Sequence, residues 1–356
     1  MLEQRQQHFP GRALGADDAP QVVIHSCTAE SLLCPDPLAS ALHAHGIQAA
    51  PYLDRVVPSG CLAVHVRGVP PATSSTDHPA PSPGWRAWWA LARARARGVR
   101  IVWELDGSDE ITPPERNSGR ALSSLATDVV VPSPSMVEPT LARFPGLRSA
   151  RQHVIPPAHH PGWYMAPPSR HDARQALDVP LETPVLLHLA VLGSPHHVGE
   201  FFDQASELAE AGVMVVVLGA DDHPAYGEHL QERAARLPGG LARTGTLLPD
   251  EMTWWCAAAD VVDLTAIPAP CWPGTEATAA LGWARPVVLR DGAPAQDLSA
   301  LVGPSWVHSV KPGCHLPVWW SALEDASRLI GQVPDLEMFA LERIGAAWAR
   351  VYTGSR

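Results

Sequence analysis

The sequence predicts an α/β protein of two domains, each a parallel sheet with helices on both faces, and three observations predict it. Apolar strand, loop and helix alternate along the chain, the rhythm of βαβ units. Several strand candidates are near-continuous apolar runs, as expected where both faces of a sheet are covered. The chain has 356 residues, more than one hydrophobic core organises comfortably and enough for two.

The elements of the first half follow from that rhythm. Gln21–Cys27 (QVVIHSC) reads as a buried strand and Leu38–His45 as a short helix. Cys61–Val69 (CLAVHVRGV) is the next strand, and Trp85–Arg97 is a helix with arginines down one side. Val99–Leu105 (VRIVWEL) is a strand ending in the polar turn Asp106-Gly107-Ser108-Asp109. Thr127–Val131 is a strand closed by Pro132, and Gln152–Pro157 completes this half. Residues 1–20 read as a polar tail and 21–160 as the first domain. The proline-rich stretch 161–182 reads as the interdomain linker.

The second half restarts the pattern over 183–334. Pro184–Val191 (PVLLHLAV) and Val213–Leu218 (VMVVVL) are apolar strands with a helix at about Gly199–Ala211 between them. Asp260–Leu264 and Pro286–Leu289 are later strands, separated by a helix over Thr275–Trp283. Residues 335–356 hold a long amphipathic helix, expected to pack back toward the first domain. Two such halves enclose a cleft lined by the C-terminal ends of strands, where ligands bind in open α/β sheets.

Composition excludes several function classes. The formal net charge of −11 argues against bulk nucleic-acid binding, which needs a basic face. No apolar run reaches the roughly 20 residues of a membrane span, and the polar N-terminal stretch has no signal-peptide core. The six cysteines show no CxxC pair and no zinc spacing with histidine. They read as reduced thiols, which makes the expected location cytoplasmic and the expected metal content none. A homodimer is compatible with the sequence, which does not specify an assembly. Most of the 13 tryptophans read as packing residues.

Three stretches resemble bacterial glycosyltransferases of the B fold (GT-B), close to family 4. Val99–Gly107 (VRIVWELDG) is similar to the segment "GVRVVWTLHD". Ala126–Tyr164 is similar to "ADAVVVPSEAMAERL…KVHVIPHGHYRGWY", sharing order, spacing and the closing Gly-Trp-Tyr. Gly245–Val288 is similar to "G.LPDEELAALLAAADVVVLPY…SGALLLALGFGRPVV". The resemblance covers roughly residues 60–300. It implies two Rossmann-like domains facing a central cleft, with the nucleotide sugar held by the C-terminal domain and a small-molecule acceptor by the N-terminal one. It also implies transfer with retention of configuration, no metal, and no cofactor beyond a UDP- or GDP-linked donor. A nucleotide-sugar 2-epimerase of the same fold and a non-catalytic partner protein are the alternatives.

A departing diphosphate carries charge that the site must stabilise. The family's arginine and lysine after the first strand of the second domain fall at Gly193 and His196 here; a neutral imidazole supplies a donor but no full charge, a protonated one supplies both, and the alternative is a loop histidine facing water. The helix start Pro273-Gly274-Thr275-Glu276 remains: Thr275 is the expected N-cap, Gly274 permits close approach, and the free amides favour an anion. The family's paired glutamates fall at Cys271 and Ala279; Glu276, between them, could face the sugar or simply complement the helix dipole. Arg290, ending PVVLR, is the best remaining cation. In the first domain the family's strand-end histidine is Asp106, which could orient a hydroxyl or act as base; with Asp109 it could equally be a solvated acidic turn. Arg67 and His159 complete the candidate acceptor side, the latter with a packing role as its alternative. The departures favour a tailoring role in a natural-product or other specialised pathway, antibiotic biosynthesis among them.

Overall fold

The computed structural model of the chain describes residues 22–26, 37–51, 57, 60–68, 85–107, 113–159, 168–190, 195–219, 224–244 and 249–354. They form two lobes, each built on a six-stranded parallel sheet.

The first lobe runs β1 (Val22–Ser26), α1 (Pro37–Ala44), β2 (Ala49–Pro51), β3 (Ala63–Arg67), α2 (Trp85–Ala96), β4 (Arg100–Glu104), α3 (Pro113–Leu125), β5 (Asp128–Val131), α4 (Val137–Arg143) and β6 (Arg151–Val154). Its strand order is β2-β1-β3-β4-β5-β6. Alternation along each strand feeds two cores. Val64, Val66, Ile101 and Trp103 pack on one face with Phe144; Ala63, Val102 and Val130 pack on the other with Leu42 and Trp348.

The second lobe runs α5 (Arg170–Ala176), β7 (Val185–Ala190), α6 (Pro195–Glu210), β8 (Met214–Gly219), α7 (Pro224–Ala234), β9 (Leu241–Thr244), α8 (Pro249–Ala258), β10 (Val261–Asp263), α9 (Gly274–Gly282), β11 (Val287–Arg290), α10 (Ala293–Val302), β12 (Val307–Val310) and α11 (His315–Arg328). The order here is β12-β11-β10-β7-β8-β9. One of its cores extends across the lobe boundary to Val131 and Met136.

Two expectations change. The stretch 161–182 is not all linker, because α5 docks on the second lobe. Arg174, fully buried, donates to the carbonyls of Ala258, Leu181 and Thr183 and pairs with Asp260 at 2.7 Å. A helix anchored by one buried arginine shows no apolar periodicity, so the pattern hid it. The terminal helix fills less of 335–356 than expected. A 3₁₀ turn at Glu337–Phe339 and extended Ala340 precede α12 (Leu341–Thr353), and Phe339 is buried. Helix α12 lies on the first lobe: its Gly345 meets the Ala41 carbonyl so closely that a Cβ would press on it at 2.8 Å. Among the described residues, no helix is long and apolar enough to cross a membrane.

Candidate functional site

The segments that follow β4 and β10 meet in a contact between the lobes. Asp106 and Gly107, directly after β4, meet Cys271 and Trp272 in the loop before α9. The Trp272 amide donates to the Asp106 carbonyl at 3.0 Å, and the Cys271 thiol donates to the Gly107 carbonyl at 3.3 Å. Gly107 has φ +87°, the left-handed region that glycine tolerates. A side chain there would run into Met136 and lie 2.7 Å from the Pro270 carbonyl. A second strap joins the lobes where the Ser135 amide donates to Asp297 at 3.1 Å. Beside these contacts lies an interlobe cavity of about 350 Å³, with Gly107, Met136, Thr140 and Arg143 on one side and Pro270 and Gly292 on the other.

Asp106 sits at the strand end where the sequence places it, with an exposed side chain. Asp109 and Gly193 lie outside the described residues. His196 falls in the first turn of α6, after the end of β7. The cap of helix α9 falls two residues earlier than expected: Pro273 is the N-cap and Gly274 the first residue, at φ +74°. Thr275 is therefore not the cap, because the Pro273-Gly274 turn has already started the helix. No side chain accepts at the cap position. The Glu276 carboxylate instead folds back over the helix start. Its Oε2 lies 3.5 Å from the Thr275 hydroxyl and fills the space a Gly274 side chain would take. That suits a carboxylate at the positive end of a helix dipole. It also means that an anion settling on the same amides must displace Glu276.

Arg290 ends β11, and its Nε donates to the Thr265 carbonyl at 2.5 Å. Among the described residues its two terminal nitrogens take part in no hydrogen bond or ion pair. Arg67 is not the open cation the sequence suggests. Its Nε donates to Glu104 at 2.7 Å, so its charge is already balanced. Glu104 also lies 3.0 Å from His65 Nε2, and His65 Nδ1 meets the Tyr352 hydroxyl at 2.8 Å. Burial alone would raise the Glu104 pKa, but Arg67 and His65 outweigh it and hold the group at about 2. His159 is an interior packing residue, 9% exposed: it lies against Gly282 at the far end of α9, and its amide donates to the Phe339 carbonyl at 2.7 Å.

Sequence reasoning passes over a second polar centre, inside the second lobe. Asp263, fully buried at the end of β10, accepts from the Thr265 amide at 2.7 Å, the Thr265 hydroxyl at 2.6 Å and the Trp319 indole at 2.5 Å. His188 on β7 approaches it at 3.4 Å and stacks on Phe201 at 3.9 Å between ring centres. At that distance, and without alignment, His188 contributes mainly as a neighbouring polar group. Burial pushes the Asp263 pKa up; His188 and the Thr265 donors pull it down further, so the net shift is below the usual carboxylate range. The available signal was a charged residue inside the apolar run Val-Val-Asp-Leu, as with His65 and Glu104 in their strands.

Comparison with solved structures fixes the architecture. Sucrose-phosphate synthase from Thermosynechococcus elongatus superposes with a TM-score of 0.64 at 13% identity, over 94% of this chain and 98% of that one. Anabaena HepE in complex with UDP and glucose gives 0.60 at 14% identity, over 94% of this chain and 100% of the other. The fold is GT-B. A putative UDP-N-acetylglucosamine 2-epimerase from Listeria monocytogenes shares it, with a TM-score of 0.55 at 14% identity over 95% and 98% of the two chains. At such identities the likeness is one of fold. No family model matches the GT-B chain described here, and no curated protein matches it in sequence.

Proposed function

We propose that the chain binds a nucleoside-diphosphate sugar between its lobes and transfers the sugar to a small-molecule acceptor. What supports this is that the end of β4 at Asp106 lies against the loop leading into α9, beside the interlobe cavity, while Arg290 ends a strand of the second sheet. Neighbours of the same fold support it, since HepE was solved with UDP and glucose and with UDP-glucose.

In this reading the α9 amides, Arg290 and His196 neutralise the diphosphate as the bond between C1 and the phosphate oxygen breaks. Asp106 holds the acceptor hydroxyl, whose oxygen bonds to C1 while its proton leaves with the diphosphate. Retention of configuration, independence of metal, a UDP or GDP donor, a cytoplasmic setting and a role in specialised biosynthesis belong to the same proposal. Titration calorimetry with UDP, GDP and their sugars tests it; if none binds below millimolar concentration, the transferase reading fails. Asp106→Asn should lower turnover by roughly 10- to 100-fold, the scale of a positioned polar group. Unchanged turnover removes Asp106 from the site.

A second reading, nucleotide-sugar 2-epimerisation, is favoured by the Listeria neighbour. Incubation with UDP-N-acetylglucosamine and no acceptor separates the two: an epimerase converts it, a transferase does not.

A further inference from the structure

Where the resembling segment reads "ADVVVLPY", this chain has Ala-Asp-Val-Val-Asp-Leu-Thr-Ala over 259–266. Of the three departures, at 263, 265 and 266, the first two lie two residues apart, and the structure shows that they belong together. Asp263 accepts both the amide and the hydroxyl of Thr265. A proline at 265 has no amide hydrogen to give, and a valine at 263 accepts nothing.

The pair matters because of what Thr265 does with its carbonyl. That oxygen receives Arg290 Nε from the neighbouring strand end, while both terminal guanidinium nitrogens remain without partners among the described residues. Trp319 clamps the other oxygen of Asp263 from α11, so the carboxylate is fixed from two elements. A buried carboxylate held by three hydrogen bonds, two on one oxygen and one on the other, is rigid, and rigidity passes to whatever it holds.

We propose that Asp263 is a positioning residue for the diphosphate site: acting through Thr265, it fixes Arg290 as the cation that compensates for the charges lost at Gly193 and His196. The inference rests on the nucleotide-sugar reading above and assigns its ligand contact to one arginine. It also explains why a full charge is buried at a position where an apolar residue would pack.

The test is a double-mutant cycle on UDP affinity, measured by titration calorimetry. Arg290→Ala should weaken UDP binding about 10- to 100-fold, the range for a charge-assisted hydrogen bond. Asp263→Asn should weaken it by about tenfold. In the Arg290→Ala background, Asp263→Asn should then have almost no effect, because the group it positions is gone. Thr265→Pro should behave as Asp263→Asn does, and Thr265→Ser, which keeps both donors, should restore wild-type affinity. A merely structural role for Asp263 predicts lower thermal stability and the same effect of Asp263→Asn on UDP affinity with and without Arg290. Additive effects, or wild-type affinity in folded Asp263→Asn, overturn the inference while leaving the nucleotide reading intact. Failure of the wild-type chain to bind UDP, GDP or ADP overturns both. Should Asp263→Asn not fold, the Thr265→Pro and Thr265→Ser pair carries the same cycle.

Discussion

Replacing Glu276 by glutamine tests whether the start of α9 is an anion site that its own side chain closes. The Glu276 carboxylate lies over Gly274, where a diphosphate would settle on the first amides of the helix. Two unit charges about 5 Å apart repel by about 3 kcal/mol at an effective dielectric of about 20. The side chain can turn away at the cost of a rotamer change and the dipole contact, which is worth about 0.3–1 kcal/mol. The net penalty on binding is therefore the smaller figure, about 1 kcal/mol, or roughly fivefold in affinity. Glu276→Gln should tighten UDP binding by about that factor, and the advantage should shrink in high salt. The same change should slightly lower thermal stability, because the helix start loses its complementary charge. Calorimetric titration and a melting curve on one sample read both effects. Weaker UDP binding in Glu276→Gln would refute this reasoning and make Glu276 a direct contact to ribose or sugar. Unchanged affinity would place the diphosphate elsewhere.

Two further changes probe the frame that holds the site. Gly107→Ala forces a side chain into the space of Met136 and the Pro270 carbonyl at a positive φ; it should destabilise the protein by at least about 1–3 kcal/mol and lower activity with it, read by chemical denaturation against turnover. Glu104 has a folded-state pKa of about 2, lowered from 4.5, so its contribution is fully present above about pH 4.5 and is lost as the pH falls toward 2. Glu104→Gln should flatten stability over that acid window; an unchanged acid-unfolding slope would show that the Arg67–Glu104–His65 contacts do not set it.

The strands were the most legible part of the chain. Runs such as VMVVVL admit only one environment, with apolar surface on both sides, and the structure forms β8 there. Asp106 was legible for a related reason, since a polar turn at the end of such a strand must face the sheet's C-terminal edge. What the pattern could not give is which partner each polar group takes. Arg67 and Arg290 both end strands in the same local setting, yet one is neutralised by Glu104 and the other is tied only to a carbonyl. That difference depends on a strand residue 37 positions away in the first case and a turn residue 25 away in the second, beyond any local periodicity. The cap of α9 was misread because Thr275 has the right chemistry two residues too late; Gly274 at φ +74° had already set the helix start. Asp263 was missed because an apolar strand hides a single charge unless its partners are known.

The contact between His159 and the 339–340 segment has a mechanical meaning. The chain passes from the first lobe to the second just after residue 159 and returns to the first lobe at Ala340, and those two passages lie side by side as a parallel bridge. The two lobes are thus joined along one line by adjacent crossings of the chain, and the Gly107–Cys271 contact ties them again along another.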